Sequence, residues 1–294
     1  MTLRDHIYDL RHRLGLAVLF ILIGAVVGFL WFQFRVGPLP SLSDLLKGPY
    51  CKLPKNLRVD FNGECRLLQT QPFEAFLVQF KVGVAAGMVL TAPLWLYQFW
   101  AFITPGLYAN ERKFARRFVV AASLLFAIGA VLAYFVVPQG LRVLVSFGGD
   151  AFVTALAADK YVSFVLVLLM IFGVSFELPL LIVMLNQIGI LSYANLKRWR
   201  RGIIFALFVF AAFATPGTDP VSMVALAVAM TGLFEIAVQI SRVHDRRKER
   251  RQAETDEFAG LDDDEPSPMY SPEPVEPVVQ APAQDTRSGF DDIT

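Results

Sequence analysis

The sequence predicts an all-α integral membrane protein with six spanning helices. Three observations carry that prediction. AVILMFWYC residues make up 55% of the 294-residue chain, and charged residues only 18% against a usual ~25%. Mean hydropathy is +0.51. The apolar residues are gathered into runs near the ~20 residues that a helix needs to cross about 30 Å of hydrocarbon. This composition argues against an ordinary soluble enzyme.

The spans follow in chain order. Gly15–Phe34 is free of charge. It is too long for a signal peptide and no small-residue cleavage site follows it, so it reads as a retained helix. Before it, Leu3, Ile7, Leu10 and Leu14 share one face, which predicts an amphipathic helix over residues 1–14 that Thr2 can cap. A plain extension of the first span is the alternative. Val82–Ile103 is the apolar centre of an uncharged stretch. Residues 118–137 open an uncharged run that reaches Leu141. Residues 161–185 hold one acid, Glu177. There Leu178-Pro179 predicts a kink, because proline removes a helix hydrogen bond. Ile203–Ala214 is a short core of 12 residues, and 221–240 holds only Glu235. At 1.5 Å per residue the short core reaches about 18 Å, well under the bilayer thickness. A thinned membrane, entering water or covering partner helices are expected there. No internal repeat is visible.

Lys and Arg set the orientation. Arg4, Arg11 and Arg13 precede the first span. Arg112, Lys113, Arg116 and Arg117 follow the second, Lys197, Arg198, Arg200 and Arg201 follow the fourth, and a basic cluster from Arg242 to Arg251 follows the sixth. The short alternate loops are poorer in bases, and the six bases of the long first outer loop count little because long loops cross largely regardless of charge, so both termini are expected in the cytoplasm. Clusters confined between apolar runs speak for membrane orientation and against nucleic acid. Residues 243–294 read as a disordered cytoplasmic tail, basic and then acidic. Residues 252–294 carry six Pro and 12 acids against the single base Arg287.

Catalytic chemistry is missing. The histidines are His6, His12 and His244, all at expected cytoplasmic ends. No G-x-S-x-G, phosphate-binding loop or H-E-x-x-H pattern occurs. The chain is read as a non-enzyme without metal or cofactor.

Ionisable groups remain in places where they are costly. An acid at mid-membrane costs about 2.5–3.5 kcal/mol on insertion scales. Glu177 therefore marks either a functional polar group or a hydrogen-bonded structural one. Glu235 is either a partner contact or snorkels toward the cytoplasm. Asp219, before Pro220, is either functional or a cap of the last helix. At the cytoplasmic face Asp9 and Glu111 sit among arginines. Each makes a local ion pair or receives an incoming guanidinium in bidentate geometry. Cys51 and Cys65 both fall in the first outer loop, a compartment that permits a disulfide; two free thiols are the alternative.

Several ordered segments carry a family resemblance. They are Leu96-Tyr97-Gln98-Phe99-Trp100 through Thr104-Pro105-Gly106-Leu107-Tyr108, then Glu111-Arg112, Ala133-Tyr134-Phe135-Val136-Val137-Pro138 and Phe172-Gly173-Val174-Ser175-Phe176-Glu177-Leu178-Pro179. Thr215-Pro216, Asp219-Pro220 and Leu233-Phe234-Glu235 complete the series, with His6, Arg11 and Arg13 in front. Over residues 3–245 the chain resembles TatC, the multispanning receptor subunit of the twin-arginine protein translocase. The resemblance implies a cupped six-helix bundle that binds the Arg-Arg signal peptides of folded cargo. Such a bundle works with single-span TatA- and TatB-type partners under the proton-motive force, in the bacterial cytoplasmic membrane. Further copies of the chain are expected beside it. By position, Glu111 and Asp9 would line the signal-peptide site, with Phe102 and Arg11 beside them. Glu177 would be the polar group of the concave face, and Tyr134, Pro49 and Asp219 would matter for function or assembly. Asp9 stands where the family usually has Glu, and Ala229 where a Pro usually breaks the last helix, so that helix should be straighter here. A proton-coupled secondary transporter using Glu177 is the second reading, but transporters of that kind usually show repeats and more spans.

Overall fold

The computed structural model describes residues 3–35, 37–53, 60–61, 64–103, 112–147, 156–216 and 219–259. Glu111 and the acidic tail from residue 260 onward lie outside the described residues.

The regular structure of the described chain is helical apart from one short antiparallel ladder and an isolated parallel bridge between Leu68 and Ala157. Its elements are α1 (Leu3–Trp31), α2 (Leu42–Cys51), β1 (Asp60–Phe61), β2 (Glu64–Cys65), α3 (Glu74–Leu90), α4 (Ala92–Ile103), α5 (Arg112–Ser146), α6 (Ala158–Ser175), α7 (Glu177–Gln187), α8 (Tyr193–Ala214) and α9 (Pro220–Ala259). Among the described residues four helices are long and apolar enough to cross a membrane: Ile7–Trp31, Arg116–Ser146, Ala158–Gln187 and Pro220–Ala253. The bent pair Glu74–Leu90 and Ala92–Phe102 makes a fifth when taken as one span. The expected short span Ile203–Ala214 lies in α8. That helix begins at Tyr193 and carries Lys197, Arg198, Arg200 and Arg201 in its first half, so it falls short of the same standard.

Two expected boundaries are corrected, at the second span and at the tail, and the open choice before the first span falls to the plain extension. α1 runs without a break through residues 14 and 15, so the segment before the first span is its extension; Ile7 and Leu14 are exposed. The second span starts eight residues early, at Glu74, and bends by 62° at Thr91. Pro93 is the cause: it lacks the N–H that the Val89 carbonyl would accept. The Thr91 hydroxyl bonds back to the Gly87 carbonyl (2.7 Å), and the Trp95 indole reaches the Met88 carbonyl across the bend (2.9 Å). The first outer loop contains α2 and the ladder. Finally, residues 243–259 continue α9 as helix. Arg, Lys, Glu, Gln and Ala are good helix formers, and neither Gly nor Pro interrupts 233–259. The kink expected at Glu177 is present as the break between α6 and α7 at Phe176, with Pro179 in the first turn of α7. α9 passes through Ala229 unbroken.

Glycines set the closest helix contact. Gly24 and Gly28 are the only buried residues of α1 among those described. They meet Gly87 and Gly83 of the antiparallel α3. A methyl added at Gly24 would stand 2.8 Å from the Gly87 carbonyl oxygen, and one at Gly28 would stand 2.6 Å from that of Gly83. Each helix thus offers a G-x-x-x-G face, which lets backbones approach where lipid gives no hydrophobic drive for association. This pairing returns α4 toward the end of the bundle where α1 begins. Three apolar clusters fill the rest, the smallest joining α8 to α9 around Leu196, Phe234 and Val238. Of the larger two, one joins α2, α3, α5, α6 and α9 around Tyr50, Val82, Tyr161 and Phe172. The other joins α4, α5, α7 and α9 around Trp100, Phe126 and Met184.

Candidate functional site

At the start of α1, Asp9 Oδ2 accepts Arg13 Nε at 2.7 Å, one helical turn away. Arg11 lies beside Tyr8 and His12 on an open surface that continues to Leu16 and Leu19. Phe102 is half-buried in the last turn of α4, a helix that packs on α1. Glu111, expected to line the same site as Asp9, lies outside the described residues.

Glu177 opens α7 at the break, where it is 8% exposed. Neither carboxyl oxygen makes a hydrogen bond of regular geometry with a described residue. The polar group acting on it is the indole of Trp100, which packs at an angle on Phe99 and Phe118. The chain places this carboxyl here because Pro179 breaks the helix just before it, so α4 and α7 meet at the break. An underbonded buried carboxyl is costly in apolar surroundings.

Pro49 and Tyr134 form a single device. Pro49 sits inside α2 and has no N–H, so the Leu45 carbonyl four residues earlier loses its helical partner. The Tyr134 hydroxyl of α5 donates to that carbonyl at 2.9 Å. Tyr161 of α6 donates to the next carbonyl, Leu46 O, at 2.8 Å. Gly48 admits the arrangement: a Cβ there would lie 2.8 Å from the Tyr134 hydroxyl. Cys51, the last residue of α2, is disulfide-bonded to Cys65 of β2. The α2 cap is thus held by two tyrosines and one covalent bond.

The other acids each have partners. Asp219 is fully buried and caps α9. Its carboxylate accepts Val221 N at 3.0 Å, Ser222 N at 3.2 Å and the Ser222 hydroxyl. Gly140 of α5 lies against it, in a space that a side chain would fill. Glu235 Oε1 accepts Arg200 Nε at 2.6 Å, which ties α9 to α8.

Sequence reasoning missed two polar clasps. Glu74 accepts Thr70 N (2.5 Å), Thr70 Oγ1, Gln71 N and, from the first turn of α6, Asp159 N (2.7 Å). Lys81 pairs with Asp159 and Ser163. At the other end Asp245 of α9 accepts Asn186 Nδ2 at 2.9 Å and Tyr193 N at 2.7 Å, so it caps α8 from another helix. An acid three residues beyond Gln71 is the one local signal for the first clasp. The second has none, because its partners lie 52 and 59 residues apart.

Fold and site define a polytopic helical membrane protein with paired charges tying its helices together and one buried carboxyl, Glu177, at a helix break. Among the described residues no cluster suits a metal ion. The family described as "Sec-independent protein translocase protein (TatC)" matches residues 5–228, and the chain belongs to it. It is a membrane component of the bacterial twin-arginine translocation system and not an enzyme. The TatC of Corynebacterium kroppenstedtii is 44% identical over 281 residues, which is 92% of this chain and 67% of that one. The TatC of Frankia casuarinae is 43% identical over 286 residues, 96% and 76% of the two chains. A crystal structure described as "Twin Arginine Translocase Receptor- TatC in DDM" superimposes with a TM-score of 0.64 at 30% identity, covering 80% of this chain and 99% of the other.

Proposed function

We propose that this chain is the signal-peptide receptor and core scaffold of a twin-arginine translocase. It binds the Arg-Arg signal of folded cargo at its cytoplasmic face and recruits TatA- and TatB-type single-span subunits for export driven by the proton-motive force. The observation that carries this reading is the superposition on a solved TatC receptor over nearly that receptor's whole length at 30% identity. In this reading the chain crosses the membrane six times, with α8 as a short fifth span and both termini in the cytoplasm. Glu111 and Asp9 receive the two guanidiniums, flanked by Phe102 and Arg11. Carboxylates suit the task because they take Arg in a bidentate fork that Lys cannot reproduce. Asp9 is already paired with Arg13, so an incoming Arg exchanges with a neighbour one turn away and does not meet a bare charge. Glu177, Glu235 and Asp219 belong to the intramembrane and partner-facing side of the scaffold, with Glu177 presenting its underbonded carboxyl to a recruited helix. The test is binding of a twin-arginine signal peptide to Glu111→Lys in native-like membranes. Binding is expected to be lost while the protein stays folded and inserted. Unchanged binding by the charge-reversed variant overturns the reading.

A further inference from the structure

The segment shared with the family ends at residue 228, inside α9. The helix goes on for another 31 residues, to Ala259. Over Arg246–Arg251 it carries five bases and one acid. Arg246 and Arg250 form one row at helical spacing, and Arg247 and Arg251 form the adjacent row. Arg246, Arg247, Lys248 and Arg250 are all exposed. Like charges at this density repel one another along a helix. A nearby polyanion relieves that repulsion.

The chain carries such a polyanion. Asp262, Asp263, Asp264, Glu265, Glu273 and Glu276 give six acids and no base over 262–276. We propose that the basic stripe of α9 is the docking surface for this acidic segment of the same chain. The lengths agree. Arg250 lies nine residues, about 14 Å, back along the axis from Ala259. Five extended residues reach about 17 Å, which brings Asp264 and Glu265 level with Arg250. Arg246 lies about 20 Å back, within reach of Glu273 and Glu276. Tethering decides the occupant. A segment linked this closely acts at millimolar effective concentration, which a free acidic partner seldom reaches. The carboxylates also match guanidiniums in fork geometry. The inference goes beyond the receptor reading and stands whether or not that reading holds.

Trypsin cleaves after Arg and Lys, so the stripe reports its own coverage. The experiment uses the full chain in nanodiscs of neutral phosphatidylcholine. The comparison variant carries D262N, D263N, D264N, E265Q, E273Q and E276Q, substitutions remote from the membrane helices. Cleavage within 246–251 is expected to be about fivefold faster in the variant, since several exposed ion pairs are lost together. About 1 M salt, where screening falls to ~3 Å, should speed cleavage of the native chain to the variant's rate and leave the variant unchanged. Hydrogen exchange of the 246–259 amides should follow the same pattern. Equal rates for the two chains overturn the proposal. So does protection that follows added phosphatidylglycerol and ignores the tail substitutions, an outcome that assigns the stripe to the lipid surface.

Discussion

Tyr134→Phe removes one oxygen and keeps the ring that packs on Phe135. In the native chain that oxygen is the partner of Leu45 O, a carbonyl that Pro49 has deprived of its helical N–H. Losing this one hydrogen bond at an exposed carbonyl costs about 0.5–1.5 kcal/mol. The cap should therefore open more readily, with exchange of the α2 amides rising about tenfold for each ~1.4 kcal/mol lost. Pro49→Ala restores the N–H at that position, and with it a local partner for Leu45 O. In that background Tyr134→Phe should cost under ~0.5 kcal/mol, so the cycle of two single variants and the double yields a coupling of about 0.5–1 kcal/mol. Hydrogen exchange of residues 45–51 in detergent or nanodiscs reads all four proteins, with the disulfide intact throughout. A Tyr134→Phe penalty that is the same with and without the Pro49→Ala change refutes the reasoning, because the hydroxyl would then not be serving the carbonyl that proline left open.

The remaining predictions concern helix contact, covalent bracing and helix length. Gly87→Leu drives a side chain into the backbone of α1 at Ala25 and should destabilise the α1–α3 pair by about 2 kcal/mol or more, the scale of overpacking; denaturation in mixed micelles checks it, with Gly15→Leu, which has open space around it, as the near-neutral control. Opening Cys51–Cys65 releases a bond across 14 residues and should loosen the cap by about 3 kcal/mol; thiol labelling of intact cells should appear only after reduction, and full labelling without reductant contradicts the bond. Inserting four Leu into the apolar half of α8 should impair export without impairing insertion, because its shortness is what demands a thinned or covered membrane; normal export by the lengthened chain removes thinning from the account.

Most spans were legible in the sequence, since uncharged runs of about 20 residues have few other uses. Glu177-Leu178-Pro179 announced its own break. Pro93 did not, because it lies within 29 uncharged residues where apolarity hides a proline. Glu74 was hidden for the opposite reason: its charge placed it outside a span that hydropathy started at Val82, although the helix begins where that carboxylate finds its donors. The basic stretch after Ile240 looked like a tail because charge density dominates such a reading, while helix propensity and the lack of Gly and Pro favoured continuation. Candidate residues could be picked one by one from the sequence, but the contacts between them could not. Pro49 and Tyr134 were both singled out, but the carbonyl that joins them belongs to Leu45, 89 residues from Tyr134. Gly24, Gly28, Gly83 and Gly87 carry a pattern that is weak in either helix alone and gains meaning only when the two meet. The Arg200–Glu235 pair likewise joins two segments whose charges were each read separately.

The measurement that tests the central claim most directly is site-specific photocrosslinking from a twin-arginine signal peptide, with the probe beside its Arg pair, to the full chain in membranes. The account predicts adducts in the Glu111 segment and near Asp9. These should disappear when the peptide's Arg-Arg is changed to Lys-Lys and in the Glu111→Lys variant. Equal crosslinking by the Lys-Lys peptide, or adducts confined to other faces of the chain, would contradict it.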